Sequence, residues 1–500
     1  MHWLTPIQDR PPGHVKKCPD IYTCLRPRRP RAPSLTAAPV SHYSPGMDAT
    51  PPPPVVAIVG AGPSGLFAAQ ALVAGGVRVD IFDRLPTPFG LLRYGVAPDH
   101  TSIKAVATAL ARVFESPLVR FCGLVEFGKN VTRDDLLEAY DAVIYAAGAS
   151  EDVPLRIPGE DLPGSRSARE FVAWYSGHPD ASPAGLDGVR QAVAVGVGNV
   201  AVDVARMLLK DPTALAATDM PEAVLAALRA TAITDVWVVG RRGPHHASFT
   251  TPELRELVTT PGVQVRVING DFDTIDDADL DRRTRANVQV LREAAATTVA
   301  NPRATLHLAF WHRPTEIQGG AAVEAVVLER TALQDGRVVG AGEPLVVEAQ
   351  LVLRAIGYRA VPLPGVSFDP RAGVIPNDEG RVLDLEGARS PREYVVGWIK
   401  RGPIGVIGTN KSDAAQTVRH VLDDLASAGT TTPRPGIAAL AARGLRPSTF
   451  EDWQRIDAAE IDRGARKQVS RTKIEAWSEL LDLVQRGRPG GPPTPADERA

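Results

Sequence analysis

Residues 55–83, VVAIVGAGPSGLFAAQALVAGGVRVDIFD, constrain this chain more than any other stretch. Five apolar residues without alternation, 55–59, predict a strand buried on both faces, as in a parallel sheet. Gly60, Gly62 and Gly65 follow in a GxGxxG turn, with Ser64 inside it, and an apolar helix opens at Leu66. Gly75 and Gly76 stop that helix, and residues 77–82 predict a second strand with Asp83 at its end. The three glycines differ in what they allow. Gly60 permits the tight turn, Gly62 lets the backbone approach a pyrophosphate, and Gly65 lets helix and sheet pack closely. The helix N-terminus offers free N–H groups and the positive end of its dipole to the phosphates. Asp83 stands where a carboxylate can accept from a ribose diol. Strand, turn, helix, strand and acid in this order predict a dinucleotide-binding unit.

A second fingerprint starts at Gln191, where 192–195 read as a strand and GVGNVA, residues 196–201, as a turn into a helix over 202–209. The strand that follows, 235–239, ends in Gly240-Arg241-Arg242, with no acid where Asp83 stood. A carboxylate suits the free 2′-OH of FAD or NAD, whereas guanidinium groups pair with a 2′-phosphate. The two sites therefore read as FAD first and NADP(H) second, the other reading of Arg241-Arg242 being a solvated loop. Asp141 to Gly148 and Leu351 to Gly357 are two further buried strands ending in glycine, of the character expected where a chain crosses between two nucleotide domains. A strand, a glycine-rich turn (residues 402–408) and a helix near Lys411 present one more helix N-terminus, placed to stabilise negative charge on a reduced flavin. Trp398, just before it, reads equally as a core aromatic.

Five hundred residues are too many for one core and predict two or three domains. The expected fold is α/β with two Rossmann-like nucleotide-binding domains, the FAD domain discontinuous. The boundaries are a disordered extension at 1–54, an FAD domain at 55–148 and 357–427, an NADP domain at 149–356, a helical segment at 428–486 and a disordered tail at 487–500. The proline-rich, acid-poor extension is read either as a transit peptide or as the product of a start codon upstream of Met47. A net charge of −2 gives no global reason to expect nucleic acid as a partner, and no apolar run approaches a membrane span. Three cysteines, Cys18, Cys24 and Cys122, form neither a disulfide framework nor a CxxC redox pair, which suggests a reducing, cytoplasmic setting. They supply no cluster signature, so an iron–sulfur centre must belong to a partner. No metal-ligand set is apparent, and a monomer is expected.

The motifs GAGPSG, LPTPFGLLRYGVAPDH, IPGEDLPG, GVGNVAVDVAR, VGRRGP, FTTPELREL and GWIKRGPIGVIGTN together resemble the adrenodoxin reductase-like ferredoxin–NADP⁺ reductases, most closely the actinobacterial type. The match runs from about residue 55 to 425, with a weaker one around Trp453. The resemblance implies FAD contacts at Ser64, Asp83, Leu91 and Val125, with Trp398, Gly405, Val406 and Ile407 beside the flavin. It implies NADPH contacts at Val197, Gly198, Asn199 and Val200, at Arg241 and Arg242, and at Glu253. This chain departs from the family in having Asp83 where Glu is common, and His245-His246-Ala247-Ser248 in place of a more apolar run. The implied reaction passes a hydride from NADPH to FAD and then single electrons to a ferredoxin-type protein. His100 and Glu253 are expected to tune the proton balance, His100 being read also as a residue that fixes its loop. Alternative activities are an NADPH oxidase or diaphorase without a protein partner, and a nucleotide-binding redox sensor without turnover. Because ferredoxins are acidic, Arg206, Lys210, Arg255, Lys400 and Arg401 are expected to form a basic docking patch.

Overall fold

The computed structural model describes residues 53–429 and 434–487. The expectations for the N-terminal extension, Met47 and the C-terminal tail fall outside the described residues, apart from Pro53, Pro54 and Gly487. Two sheets organise the rest. The first has seven strands in the order Asn377–Asp378, Arg381–Leu383, Arg389–Val395, Ala142–Tyr145, Val55–Val59, Arg78–Phe82 and Val119–Cys122. Its last five strands are parallel, and the first two join them as an antiparallel extension. The second sheet is parallel throughout, in the order Ser165–Ser167, Leu351–Arg354, Gln191–Val195, Asp235–Val239, Ala304–Ala309 and Val263–Ile268.

Both sheets place the fingerprint strand centrally, between the strand that follows its own βαβ unit and one contributed from further along the chain. In an open parallel sheet this reversal of strand order opens a crevice at the carboxyl ends of the strands, where ligands bind. The first sheet is assembled from two separate stretches of sequence. The chain passes between the sheets twice, and the passages lie side by side: Glu151–Asp152 pairs antiparallel with Tyr358–Arg359.

Local chemistry explains where the helices start. The first fingerprint helix, Pro63–Ala74, begins three residues earlier than the apolar run suggests, because Pro63 takes the first helical position, where a missing N–H costs nothing. Thr132 and Asp135 form a capping box at Arg133–Ala139, and Thr449 and Asp452 form another at Phe450–Ala465. One face of the first sheet is covered by Pro63–Ala74, Thr101–Ala111 and Thr409–Ser427, together with Trp453, Ile456, Leu480 and Val484 of the last two helices. The polar-looking C-terminal segment thus has a buried stripe. On the second sheet, helices cover one face. The other carries a three-stranded antiparallel meander, His312–Gln318, Ala325–Gln334 and Arg337–Glu348, whose Ile317, Val326, Leu328 and Val347 pack on Val193, Val195 and Val352.

Candidate functional site

The two glycine turns are built alike. Gly60 has φ +112°, donates its N–H to the Phe82 carbonyl at 2.7 Å, and would carry a Cβ only 2.5 Å from the Ala146 oxygen. Gly196 has φ +133°, donates to the Val239 carbonyl at 2.8 Å, and lies against the Ala355 oxygen in the same way. Only glycine fits either position. A Cβ on Gly65 would run into the Gly60 carbonyl, so the helix rests directly on the turn. Gly62 is different: nothing lies within 4 Å of where its Cβ would point. That open space, over the N-terminus of Pro63–Ala74, is the cradle a pyrophosphate requires, and the residues fit FAD on this ground.

Around this cradle the predicted FAD residues come together. Asp83 accepts the Ala61 N–H at 2.9 Å on one carboxylate oxygen and the Leu85 N–H at 3.0 Å on the other, leaving one acceptor lobe on each for a ribose diol. Burial raises its pKa despite those two bonds. The loop after Asp83 closes over the turn, with the Phe89 N–H on the Ala61 carbonyl at 2.9 Å and Gly90 pressed on Gly62. It carries a short helix, Leu91–Tyr94, from which Leu91 is exposed. Val125 is buried in the core and its N–H is held by the Asp83 carbonyl, so only its carbonyl remains for a ligand.

Ser64 donates to Asn410 at 3.0 Å, and Gly397 packs on the Ser64 hydroxyl, bringing the N-terminus of Thr409–Ser427 beside that of Pro63–Ala74. Trp398 is no core aromatic: its ring is half-buried and stacks on Tyr358, with centroids 5.8 Å apart. The segment Ile404-Gly405-Val406 is exposed, and Ile407 is packed beneath it on the first core. An exposed apolar run at a helix N-terminus, beside an accessible tryptophan, suits a flat ring system.

At the second turn, the side chains of Arg241 and Arg242 are exposed and make no hydrogen bond or ion pair among the described residues. Their backbone is fixed instead, the Arg241 carbonyl by the Thr331 hydroxyl at 2.9 Å and the Arg242 carbonyl by the Trp311 N–H at 3.2 Å. Two free guanidinium groups on a rigid loop fit a 2′-phosphate. The Asn199 side chain accepts the Thr250 N–H at 2.8 Å, and the Ser248 N–H donates to the Val197 carbonyl at 2.9 Å. Asn199 and Val197 therefore hold the 244–250 segment across the turn, while Gly198 meets only the Ser248 hydroxyl at 3.3 Å. Val200, half-buried at the start of Asn199–Leu209, packs on the second core. The His245 and His246 rings lie 4.0 Å apart, tilted by 45°, beside Trp311, and burial lowers the pKa of both, with help from Arg242 and, for His246, from His245 as well. Glu253, in the first turn of Thr251–Val258, has one buried carboxylate oxygen without a partner. A buried, orphaned acceptor at the edge of the turn asks for a donor from a ligand.

His100 and Glu253, each expected to tune the proton balance, have different surroundings. His100 contacts Glu256, one turn beyond Glu253, at 3.1 Å, and Arg206 at 2.7 Å. Asp203 lies 3.8 Å from the same ring nitrogen and is paired with Arg206 at 2.9 Å. Burial raises the Asp203 pKa, whereas Arg206 and Lys210 hold Asp99 below the usual carboxylate range in spite of burial. Sequence reading missed Asp99, Asp203 and Glu256. The available signal was the i, i+3 spacing of Asp203 and Arg206 on the fingerprint helix.

Two members of the expected basic patch require correction. Arg206 is 2% exposed and bonded to Asp99, Asp203 and His100. Lys400 is buried against Asp413 at 3.0 Å, Gln416 and Thr417. Neither can meet a partner, because each is spent on internal carboxylates. Lys210 is partly exposed but paired with Asp99 at 2.7 Å, and Arg401 is partly exposed and paired with Asp413 at 3.1 Å. Arg255 is exposed.

The chain is similar to known proteins over most of its length. Residues 58–121 fit the family model of an NAD(P)-binding Rossmann-like domain. The chain is 44% identical over 458 residues to the NADPH-ferredoxin reductase FprA of Mycobacterium tuberculosis, covering 86% of this chain and 99% of that one. It is 40% identical over 456 residues to the mitochondrial NADPH:adrenodoxin oxidoreductase of Homo sapiens, covering 86% and 92%. The solved structure of Mycobacterium tuberculosis FprA in complex with NADPH superposes with a TM-score of 0.82 over 86% of this chain and 99% of that one, at 44% identity.

Proposed function

The chain belongs to the family of NADPH-dependent ferredoxin and adrenodoxin reductases, and from that premise we propose how its two sites divide the work. It is a flavoprotein oxidoreductase that uses NADPH and FAD and delivers electrons to a ferredoxin-type iron–sulfur protein. We assign residues 55–148 and 357–427 to FAD and 149–356 to NADP, with the C-terminal helices as part of the FAD side. We further propose that it acts as a cytoplasmic monomer; among the described residues no helix is long and apolar enough to cross a membrane.

The observation that carries the assignment is the contrast between the two glycine turns. They are equivalent in fold, yet one is followed by Asp83 and the other by two unpaired arginines. When bound, FAD would supply the two-electron to one-electron chemistry that the chain's own side chains lack. The chain supplies binding, orientation and a place to hold a proton. Gly62 and the N-terminus of Pro63–Ala74 receive one pyrophosphate, Gly198 and that of Asn199–Leu209 the other. With both nucleotides bound, Trp398 and the 404–406 turn would lie beside the rings and would shield them from water.

His100 Nε2 is the atom at which a proton is held. Arg206 can only donate to Nε2 and the Glu256 carboxylate can only accept from it, so the two contacts are alternatives that differ by one proton on that atom. When Nε2 is protonated it donates to Glu256 instead, whose half-exposed carboxylate opens to solvent. Glu253 offers its orphaned oxygen to the nicotinamide end of the dinucleotide. The test is anaerobic NADPH titration of the FAD-loaded protein followed by addition of a reducible ferredoxin. Flavin bleaching and a large rate gain with ferredoxin are expected. Bleaching without that gain would mean an oxidase or diaphorase, and no bleaching a sensor.

A further inference from the structure

Lys473 lies in the connection between the helices Phe450–Ala465 and Trp477–Arg486 and is 4% exposed. Its ammonium group reaches three separate elements. It donates to the Arg93 carbonyl at 2.6 Å and to the Ser176 carbonyl at 3.0 Å, and it sits 3.4 Å from an Asp219 carboxylate oxygen. Arg93 belongs to the loop that covers the first glycine turn. Ser176 ends the helix Ala168–Tyr175, which packs in the core of the second sheet, and Asp219 lies in the connections beyond that sheet's fingerprint helix. One ammonium group thus donates to carbonyls from both halves of the molecule and pairs electrostatically with Asp219.

The lysine is itself held firmly. The N–H of Thr472 donates to the Glu460 carbonyl at 3.0 Å, the N–H of Ile474 to the Glu460 carboxylate at 2.9 Å, and the N–H of Lys473 to the Asp219 carbonyl at 3.2 Å. Asp219 also takes Lys104 at 2.5 Å, from the helix Thr101–Ala111 on the first sheet. A methionine would fill the space without the desolvation cost of a charge, but it would leave the Arg93 and Ser176 carbonyls buried without their donor, so some loss of stability accompanies it. What a methionine cannot do is hold the Arg93 and Ser176 carbonyls at one fixed separation.

We propose that Lys473 is a positioning residue: it ties the loop over the FAD turn to the NADP half and so sets the geometry in which nicotinamide and flavin meet. This rests on the assignment of the two turns to the two nucleotides. The charged and titratable groups around the amine are Asp219, Lys104, Arg93 and Glu460, with the Tyr94 ring 6.0 Å from the nitrogen. Burial pulls the ammonium pKa down to about 7, Asp219 and Glu460 acting against that and Lys104 and Arg93 with it. The unfolded chain therefore binds the proton more tightly between about pH 7 and 10, and this site adds stability as pH rises through that window. Over the same rise the attraction to Asp219 is lost. A purely structural lysine would let rate follow stability upward; a positioning lysine makes the two diverge.

The experiment compares Lys473→Met with wild type, both FAD-loaded. Expected are retained flavin, an unchanged KM for NADPH, hydride transfer slowed about tenfold, and weaker long-wavelength absorbance from nicotinamide stacked on flavin. Amide exchange at Gly177 and His178 should quicken with or without FAD. An unchanged hydride rate together with unchanged exchange would overturn the proposal. If the variant fails to fold, the wild-type pH profile decides: hydride transfer at saturating NADPH should fall from pH 6 to 8.5 while thermal stability does not, and a flat rate profile overturns the idea. Failure of wild type to bleach with NADPH would instead overturn the assignment of the two turns.

Discussion

At the scale of single residues, the decisive contrast is between Asp83 and the Arg241-Arg242 pair. Asp83 has two of its acceptor positions committed to backbone N–H groups, which fixes its orientation before any ribose arrives. The arginines are fixed only through their backbone and leave both guanidinium groups free. Changing both arginines to Ala is expected to erode the preference for NADPH over NADH by roughly 2–5 kcal/mol, taking about 1.5–3 for each charged hydrogen bond with imperfect additivity. The measurement is the ratio of kcat/KM for the two nucleotides, and an unchanged ratio would return the pair to the status of a solvated loop. Both the acid and the arginines were legible in the sequence, because a strand end followed by a charge is a local pattern. The His100–Glu256 contact was not, since Glu253 and Glu256 are equally plausible on a helix until packing decides which face is turned to the loop.

At the scale of elements, the glycines of the first turn are not equivalent, and substitution separates them. Gly65→Ala drives a methyl group into the Gly60 carbonyl, backbone against backbone, so the helix must lift off the strand. The expected result is a protein with a lowered thermal midpoint and no flavin. Gly62→Ala places its methyl in open space, so the FAD-free protein should melt as wild type does while its FAD affinity falls sharply. Equal melting of the two variants without FAD would show that the cradle is misread. The C-terminal hairpin gives a second test. Arg93 pairs with Glu460 through both nitrogens, at 2.5 and 3.0 Å, and lies 4.9 Å over Trp453, with Glu460 fully buried. Glu460→Gln leaves the arginine buried with a neutral partner, and a loss of about 3–5 kcal/mol in unfolding free energy is expected from breaking such a pair. Chemical denaturation checks it, and a loss under about 1 kcal/mol would mean that water reaches the site.

For the whole molecule, the buried cations alter how a partner can be attracted. With Arg206 and Lys400 removed from the surface, Arg255 remains as an exposed cation, and Lys210 and Arg401 are partly neutralised by Asp99 and Asp413. Steering by so few charges predicts a modest effect. Ferredoxin reduction should slow by several-fold between low and physiological ionic strength, where charges are screened beyond about 8–10 Å. Reduction of a small uncharged quinone should barely change. Equal salt dependence for both acceptors would place the effect on NADPH binding and remove the docking patch altogether.

The amino-acid sequence by itself determined the two nucleotide folds, their order, and the acid and arginines that distinguish them. Those features are set by neighbours: a positive φ needs glycine, a turn needs it at fixed spacing, and a buried strand needs an apolar run. Tertiary structure alone decided which charges are available. Arg206 and Lys400 look like surface cations in the sequence, and they are buried because the fold closes Asp99 on the first and Asp413 on the second. Likewise, nothing local in a polar C-terminal helix announces that Glu460 and Lys473 grip a loop that precedes them by more than 350 residues. A buried ion pair is specified by the meeting of two elements, and that meeting exists only once the sheets have been assembled.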